Sequence, residues 1–213
     1  MKKTSVIILS LILSVIGYCQ SPFEKAMLAN IDSLYRSFGN GQILKPVNTF
    51  ERLSMADTNR WEPIYYAAYG YCFISMKEKD DKQKDSYCDK GQLLLDKAIR
   101  LAPKESELYV MQGFLYNMRL LVNPMMRAQQ YMGKINTSYA TAQALDSLNP
   151  RSYFMQAQMV MNMPSFMGGG KDKALPIFEH AKQKFDIFTS TNVLYPRWGK
   201  DECVKKIAEC KVK

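Results

Sequence analysis

Histidine is nearly missing from this 213-residue chain, with one copy at His180, and tryptophan occurs only twice. Nothing near His180 in sequence supplies a nucleophile or an orienting acid. A Ser/His/Asp or Cys/His site is therefore unsupported, and the residue reads as a solvated histidine. No two cysteines stand in a C-x-x-C spacing, so neither a thioredoxin-type redox site nor a zinc knuckle is supported. No segment sustains period-two alternation, and no sheet is expected. After the first apolar run, Val6 to Ile16, no second hydrophobic stretch reaches spanning length.

Other motifs fall short of the chemistry they suggest. Gly168-Gly169-Gly170-Lys171 lacks the Ser or Thr that must follow the lysine of a phosphate loop, and no strand precedes it. A tight turn between helices is the reading, with glycines supplying positive φ. Met155, Met159 and Met163 form one stripe at helical pitch while Met161 points elsewhere. That arrangement suits core filling or an adaptable groove better than a copper site. No catalytic residue, metal ligand or cofactor is predicted.

What is present is a recurring large/small pattern. Tyr66-x2-Tyr69-Gly70-x2-Phe73 is followed by Gly91-x3-Leu95-x2-Ala98-x4-Pro103, and Tyr109-x2-Gln112-Gly113-x2-Tyr116 restarts it. Small residues let helix axes approach, and large ones fill the gaps between neighbours. The alternation resembles a tetratricopeptide (TPR) repeat, whose paired helices stack into a superhelix. The expected fold is all-α: a right-handed solenoid of about three irregular helical hairpins with a C-terminal capping helix.

The opening Lys2 and Lys3, the apolar run and Gly17-Tyr18-Cys19 read as a signal peptide over residues 1–19, with cleavage before Gln20. The protein is therefore expected to be exported, to the periplasm or beyond. A lipoprotein reading, with Cys19 lipidated, is weakened by Tyr18. Formal charge falls from +9 to +7 once Lys2 and Lys3 are removed. Basic residues are interspersed with acids, so nucleic acid is not an expected partner. Four cysteines remain. Cys72 and Cys88, on the two helices of one hairpin, form the candidate disulfide. Cys203 and Cys210 on one helix stand about 10 Å apart, beyond disulfide reach.

Residues 20–60 read as an N-terminal helix (Pro22 to Phe38), a loop carrying Pro46 and a short helix over Thr49–Met55. Residues 61–213 read as the TPR-like domain. Its first pair is Glu62–Met76 and Ser86–Leu101, separated by the charged stretch Lys77–Asp85. The second is Ser106–Leu121 and Arg127–Leu148, broken at Asn123-Pro124. The third carries Tyr153-x2-Gln156-Ala157-x2-Val160 and Ala174-x3-Phe178-x2-Ala181. A last helix, about Lys200 to Cys210, caps the stack, with Trp198 expected to pack against the last repeat.

Several longer stretches, Asn48-Thr-Phe-Glu-Arg-Leu, Trp61-Glu-Pro-Ile-Tyr-Tyr-Ala-Ala-Tyr, Val122-Asn-Pro-Met-Met-Arg, Phe166-Met-Gly-Gly-Gly-Lys-Asp-Lys-Ala-Leu-Pro and Tyr195-Pro-Arg-Trp-Gly-Lys-Asp-Glu, resemble a group of small exported TPR-like proteins of Gram-negative bacteria. The resemblance implies export and a helical repeat fold, and brings no catalytic residues. In TPR folds the first helix of each pair lines the concave face. Carried over by spacing, the groove positions are Tyr71, Ser75, Glu107, Phe114, Asn117, Arg151, Gln158 and Asn162. Their amides, aromatics and mixed charges suit an extended peptide. The expected function is a non-enzymatic scaffold binding a protein or peptide partner in the cell envelope. The alternative is a small-ligand or glycan-binding helical protein.

Overall fold

The computed structural model describes residues 21–212, and the signal-peptide reading of residues 1–19 lies outside the described residues. Among the described residues the secondary structure is helical throughout. It comprises α1 (Pro22–Asn40), α2 (Leu44–Ala56), α3 (Glu62–Lys77), α4 (Asp81–Leu101), α5 (Ser106–Val122), α6 (Pro124–Leu145), α7 (Pro150–Asn162), α8 (Lys171–Ile187) and α9 (Lys200–Lys211). A short 3-10 turn, Ser165–Met167, lies between α7 and α8. None of the helices is long and apolar enough to cross a membrane.

Consecutive helices pair as hairpins, and the hairpins stack through their first members: α1 on α3, α3 on α5, α5 on α7. The result is an all-α helical-repeat fold. Glycines set the approach. A side chain at Gly70 would run into Val47 of α2, and one at Gly113 into the Tyr139 ring of α6. Tyr65, Tyr66, Phe50, Tyr139 and Phe178 fill the remaining space as fully buried side chains. Because α3 is sandwiched between α2, α4, α1 and α5, it is apolar on nearly every side.

Helix starts follow local chemistry. Ser21 and Glu24 form a reciprocal capping box on α1, each bond 3.1 Å. Asp80, Asn123 and Asn149 accept from the first-turn amides of α4, α6 and α7.

Three boundaries differ from expectation. The charged stretch after Lys77 is not a long loop: Asp80 caps α4, and Asp81 already sits in its first turn. Acids next to a helix start favour the helix through its dipole, so the hairpin is stretched by a longer helix. Pro124 begins α6 rather than breaking it, since the first helical position needs no N–H. Pro46 lies in the first turn of α2 for the same reason. As a consequence α1 and α2 form a hairpin of their own in front of the three expected ones.

The largest departure is residues 188–199. This segment joins α8 to α9 without helix and returns across the stack to its beginning. Leu194 C=O accepts from Tyr66 Oη (2.9 Å), and Asn192 Nδ2 donates to Glu62 of α3 (2.9 Å). Arg197 pairs with Asp32 of α1 at 3.0 Å. We call it the strap. It ends at Gly199, whose φ of 105° and contact with the Phe185 ring leave no room for a side chain.

Candidate functional site

The inner face formed by α1, α3, α5 and α7 is not an open groove. The strap and the start of α9 close one side of it, leaving a cleft of about 1060 Å³. Its walls are aromatic. Phe38 and Phe73 stack at 3.9 Å, Phe73 meets Phe114 edge-on at 6.0 Å, and Tyr69 stacks on Trp198 at 5.2 Å and 16°. Phe154 and Met155 of α7, with Met118 of α5, continue the apolar surface, and Met76 and Leu121 are half exposed within it. The polar edge mixes Arg197, Lys200 and Lys206 with Asp32, Asp201 and Glu202. A concave, largely aromatic surface with a few polar groups at its edge has the make-up of a small-molecule pocket.

Trp198 is fixed by a buried chain of hydrogen bonds. Its indole N–H donates to Tyr65 Oη (2.9 Å), and Tyr65 donates to Glu107 Oε2 (3.3 Å). Arg151 Nε donates to Glu107 Oε1 at 2.7 Å. Strap, α3, α5 and α7 thus meet in one network. Burial pushes the Glu107 carboxyl and the Tyr65 phenol up from their ordinary pKa values, and the Arg151 charge opposes both.

Of the eight groove positions read from spacing, Phe114, Asn117, Gln158 and Asn162 line the cleft. The other four do not. Tyr71 is buried, stacks on Tyr87 of α4 and donates to Glu51 of α2. Ser75 is buried against α4, with Lys84 C=O and Cys88 Sγ as neighbours. Glu107 and Arg151 are 0% and 2% exposed and are joined to each other through Arg151 Nε and Glu107 Oε1. Neighbouring helices cover these positions: α2 and α4 cover Tyr71 and Ser75, and α5 and α7 meet at Glu107 and Arg151. Tyr35 and Phe38 of α1, and the packing residues Tyr69 and Phe73 of α3, also line the cleft, though none falls at a spacing-derived groove position. The apolar stripe of α1 did contain Phe38. Trp198 packs well beyond the last repeat, reaching α3.

The expected Cys72–Cys88 disulfide is not formed. Both are buried free thiols, as are Cys203 and Cys210. The Cys88 sulfur lies 3.3 Å from Ser75 Oγ, and burial raises both the Cys72 and Cys88 thiols. The glycine turn behaves as the spacing predicts: Gly168 and Gly170 have φ of 85° and 110°, and a side chain on Gly169 would strike the Met163 carbonyl. His180 is exposed and meets Tyr153 edge-on at 4.7 Å, outside the cleft. Among the described residues no group of three or more His, Cys, Asp or Glu is arranged to hold a metal ion. Along the aromatic wall the thioether and phenol donors are Met76, Met118, Met155, Tyr35 and Tyr69, and the carboxylates Asp32, Asp201 and Glu202 stand at the polar edge. Burial raises both tyrosine phenols, which disfavours the phenolate a metal would need.

One solved structure matches this geometry over nearly its whole length. The HusA haemophore from Porphyromonas gingivalis superposes with a TM-score of 0.79 at 27% identity, covering 92% of this chain and 96% of that one. A thermophilic TPR protein of Thermus thermophilus also aligns, at 16% identity and a TM-score of 0.46, over 88% of this chain and 98% of its own. No protein-family model and no curated protein sequence matches the chain.

Proposed function

We propose that this protein is an exported, non-enzymatic binder of a flat tetrapyrrole of the haem class, held in the aromatic cleft. The carrying observation is the wall built from Phe38, Phe73, Phe114, Tyr69 and Trp198, contributed by four elements and closed by the strap. Similarity to a haemophore over almost the entire fold supports the same reading. The macrocycle lies against the aromatic faces, where stacking and removal of apolar area from water supply most of the affinity. Its carboxylates reach the polar edge, where Arg197 and Lys206 exchange exposed acidic partners for the ligand.

This is the small-ligand alternative of the sequence reading. The peptide reading needs a row of accessible polar groups along the inner helices, and Tyr71, Ser75, Glu107 and Arg151 are instead buried. The donors present, with no histidine or cysteine among the lining residues, make stacking rather than iron coordination the main source of affinity.

The test is a titration of the folded protein with haemin and with metal-free protoporphyrin, read by tryptophan fluorescence quenching and the porphyrin absorption band. Both ligands are expected to saturate one site with affinities within about tenfold of each other. Phe114→Arg, which places a charge in the wall, is expected to weaken both by about tenfold or more. Absence of saturable binding, or full affinity in the folded Phe114→Arg variant, overturns the proposal.

A further inference from the structure

Behind the strap lies a second, smaller cavity of about 340 Å³, which shares Arg197 and Lys200 with the edge of the aromatic cleft. Its titratable lining differs in kind. Three cations, Arg151, Arg197 and Lys200, line it together with no acid, and Ser190 and Asn192 add neutral polar groups. Phe185, Phe188, Val193 and Pro196 make up the apolar part.

Arg151 is the decisive residue. Its Nε is committed to Glu107, and its guanidinium carbon lies 5.2 Å from the Phe188 ring centre and 5.5 Å from that of Tyr195. Its Nη2 is buried with no hydrogen-bond partner. A charged donor left unpaired in a low-dielectric setting is costly, so an acceptor brought to it is strongly rewarded. The other two cations are held only by solvent-exposed acids: Arg197 by Asp32 at 3.0 Å and Lys200 by Asp186 at 2.9 Å. Exposed pairs of this kind are worth little and are readily exchanged.

We propose that this cavity is a second binding site, for a small monocarboxylate with an apolar or aromatic body. The carboxylate is received by Arg151 with help from Arg197 or Lys200, and the body packs on Phe185, Phe188 and Val193. Charge selects the ligand: a neutral molecule of the same shape leaves Arg151 unsatisfied. Arg151 and the apolar wall lie outside the aromatic cleft's lining, whereas Arg197 and Lys200 line both, so the site is tested on protein free of any tetrapyrrole.

Benzoate is the probe and benzyl alcohol its neutral counterpart, added to isotopically labelled protein up to their solubility limits. The Arg151 Nε–H and Asn192 side-chain amide signals are followed by NMR. Benzoate is expected to move both saturably, and benzyl alcohol is not. Val193→Phe fills the cavity while leaving the Arg151–Glu107 pair intact, and is expected to weaken benzoate by about tenfold or more. Because Arg151→Met alone would strand Glu107, the double variant Arg151→Met/Glu107→Leu serves as the second test, and it is expected to abolish benzoate binding. No saturable shift, equal shifts with benzyl alcohol, or undiminished binding in the folded Val193→Phe protein overturns the proposal.

Discussion

Arg151 and Glu107 show how a residue's role depends on what the neighbouring repeat does with it. Spacing puts both on first helices, at positions that face a groove in regular repeat arrays. Here α5 and α7 bring them within 2.7 Å of each other, and the strap covers them. Nothing local in the sequence reports that covering, because it arrives from residues about forty to ninety positions away. The pair makes a sharp prediction. Arg151→Met leaves a buried carboxyl without its cation and should cost about 3–5 kcal/mol in urea unfolding at neutral pH, whereas Arg151→Met/Glu107→Leu should recover most of that loss. The pH dependence follows from the direction of the Glu107 shift. Burial raises its folded pKa and Arg151 lowers it, so removing Arg151 raises it further. A carboxyl whose folded pKa lies above its unfolded value favours folding below the unfolded pKa and loses that contribution as pH rises. The single variant's deficit should therefore shrink as pH is lowered toward about 4, and a deficit that grows on acidification would contradict the assignment.

At the level of elements, the hairpins were legible because close helix packing demands small residues at fixed intervals, and Gly70, Gly91 and Gly113 supply them. Helix lengths are less legible where charged residues open a helix. Asp80 and Asp81 are the cap and first turn of α4, and Asp85 one turn on is structural as well. Arg127 of α6 reaches back to Asp85 with two hydrogen bonds of 2.7 and 2.6 Å and also donates to the Arg119 carbonyl of α5. Three helices are tied at one end of two hairpins by one side chain. Its hydrogen bonds hold the Asp85 carboxyl below the usual carboxylate range. A depressed folded pKa stabilises the fold above the unfolded value and loses that contribution as pH falls through the folded one. With side chains 30% and 26% exposed, solvent screening limits the pair to about 1 kcal/mol or less. Between about pH 5 and pH 3, Asp85→Asn should lose less melting temperature than wild type, and parallel pH profiles would show that the pair does not bind the helices together.

For the whole molecule, the strap changes what kind of object the stack is. A plain solenoid has contacts only between neighbouring repeats, so its ends can unfold separately. Here Tyr66 and Leu194 are joined across 128 positions of sequence, and Glu62 and Asn192 across 130. The α3–α4 hairpin and the last one therefore share one fate, and the aromatic cleft exists only while both are folded. No repeat pattern forecasts such a connection, since the strap carries no periodicity of its own. It follows that, in a Trp61→Phe background that leaves Trp198 of the strap as the tryptophan probe, helix content by circular dichroism and fluorescence should trace one coincident urea transition. Tyr66→Phe with Asn192→Ala removes these two of the strap's tethers, leaving Trp198–Tyr65 and Arg197–Asp32, and each leaves a partner unsatisfied at about 1–3 kcal/mol. In that variant the fluorescence transition should come first, as the strap releases before the hairpins melt. A ligand of the cleft should raise the wild-type midpoint and bring the two signals of the variant back together, because it binds only the assembled wall. If wild type already unfolds in separate steps, the strap is an ornament on a solenoid, and the cleft must be held together by hairpin packing alone.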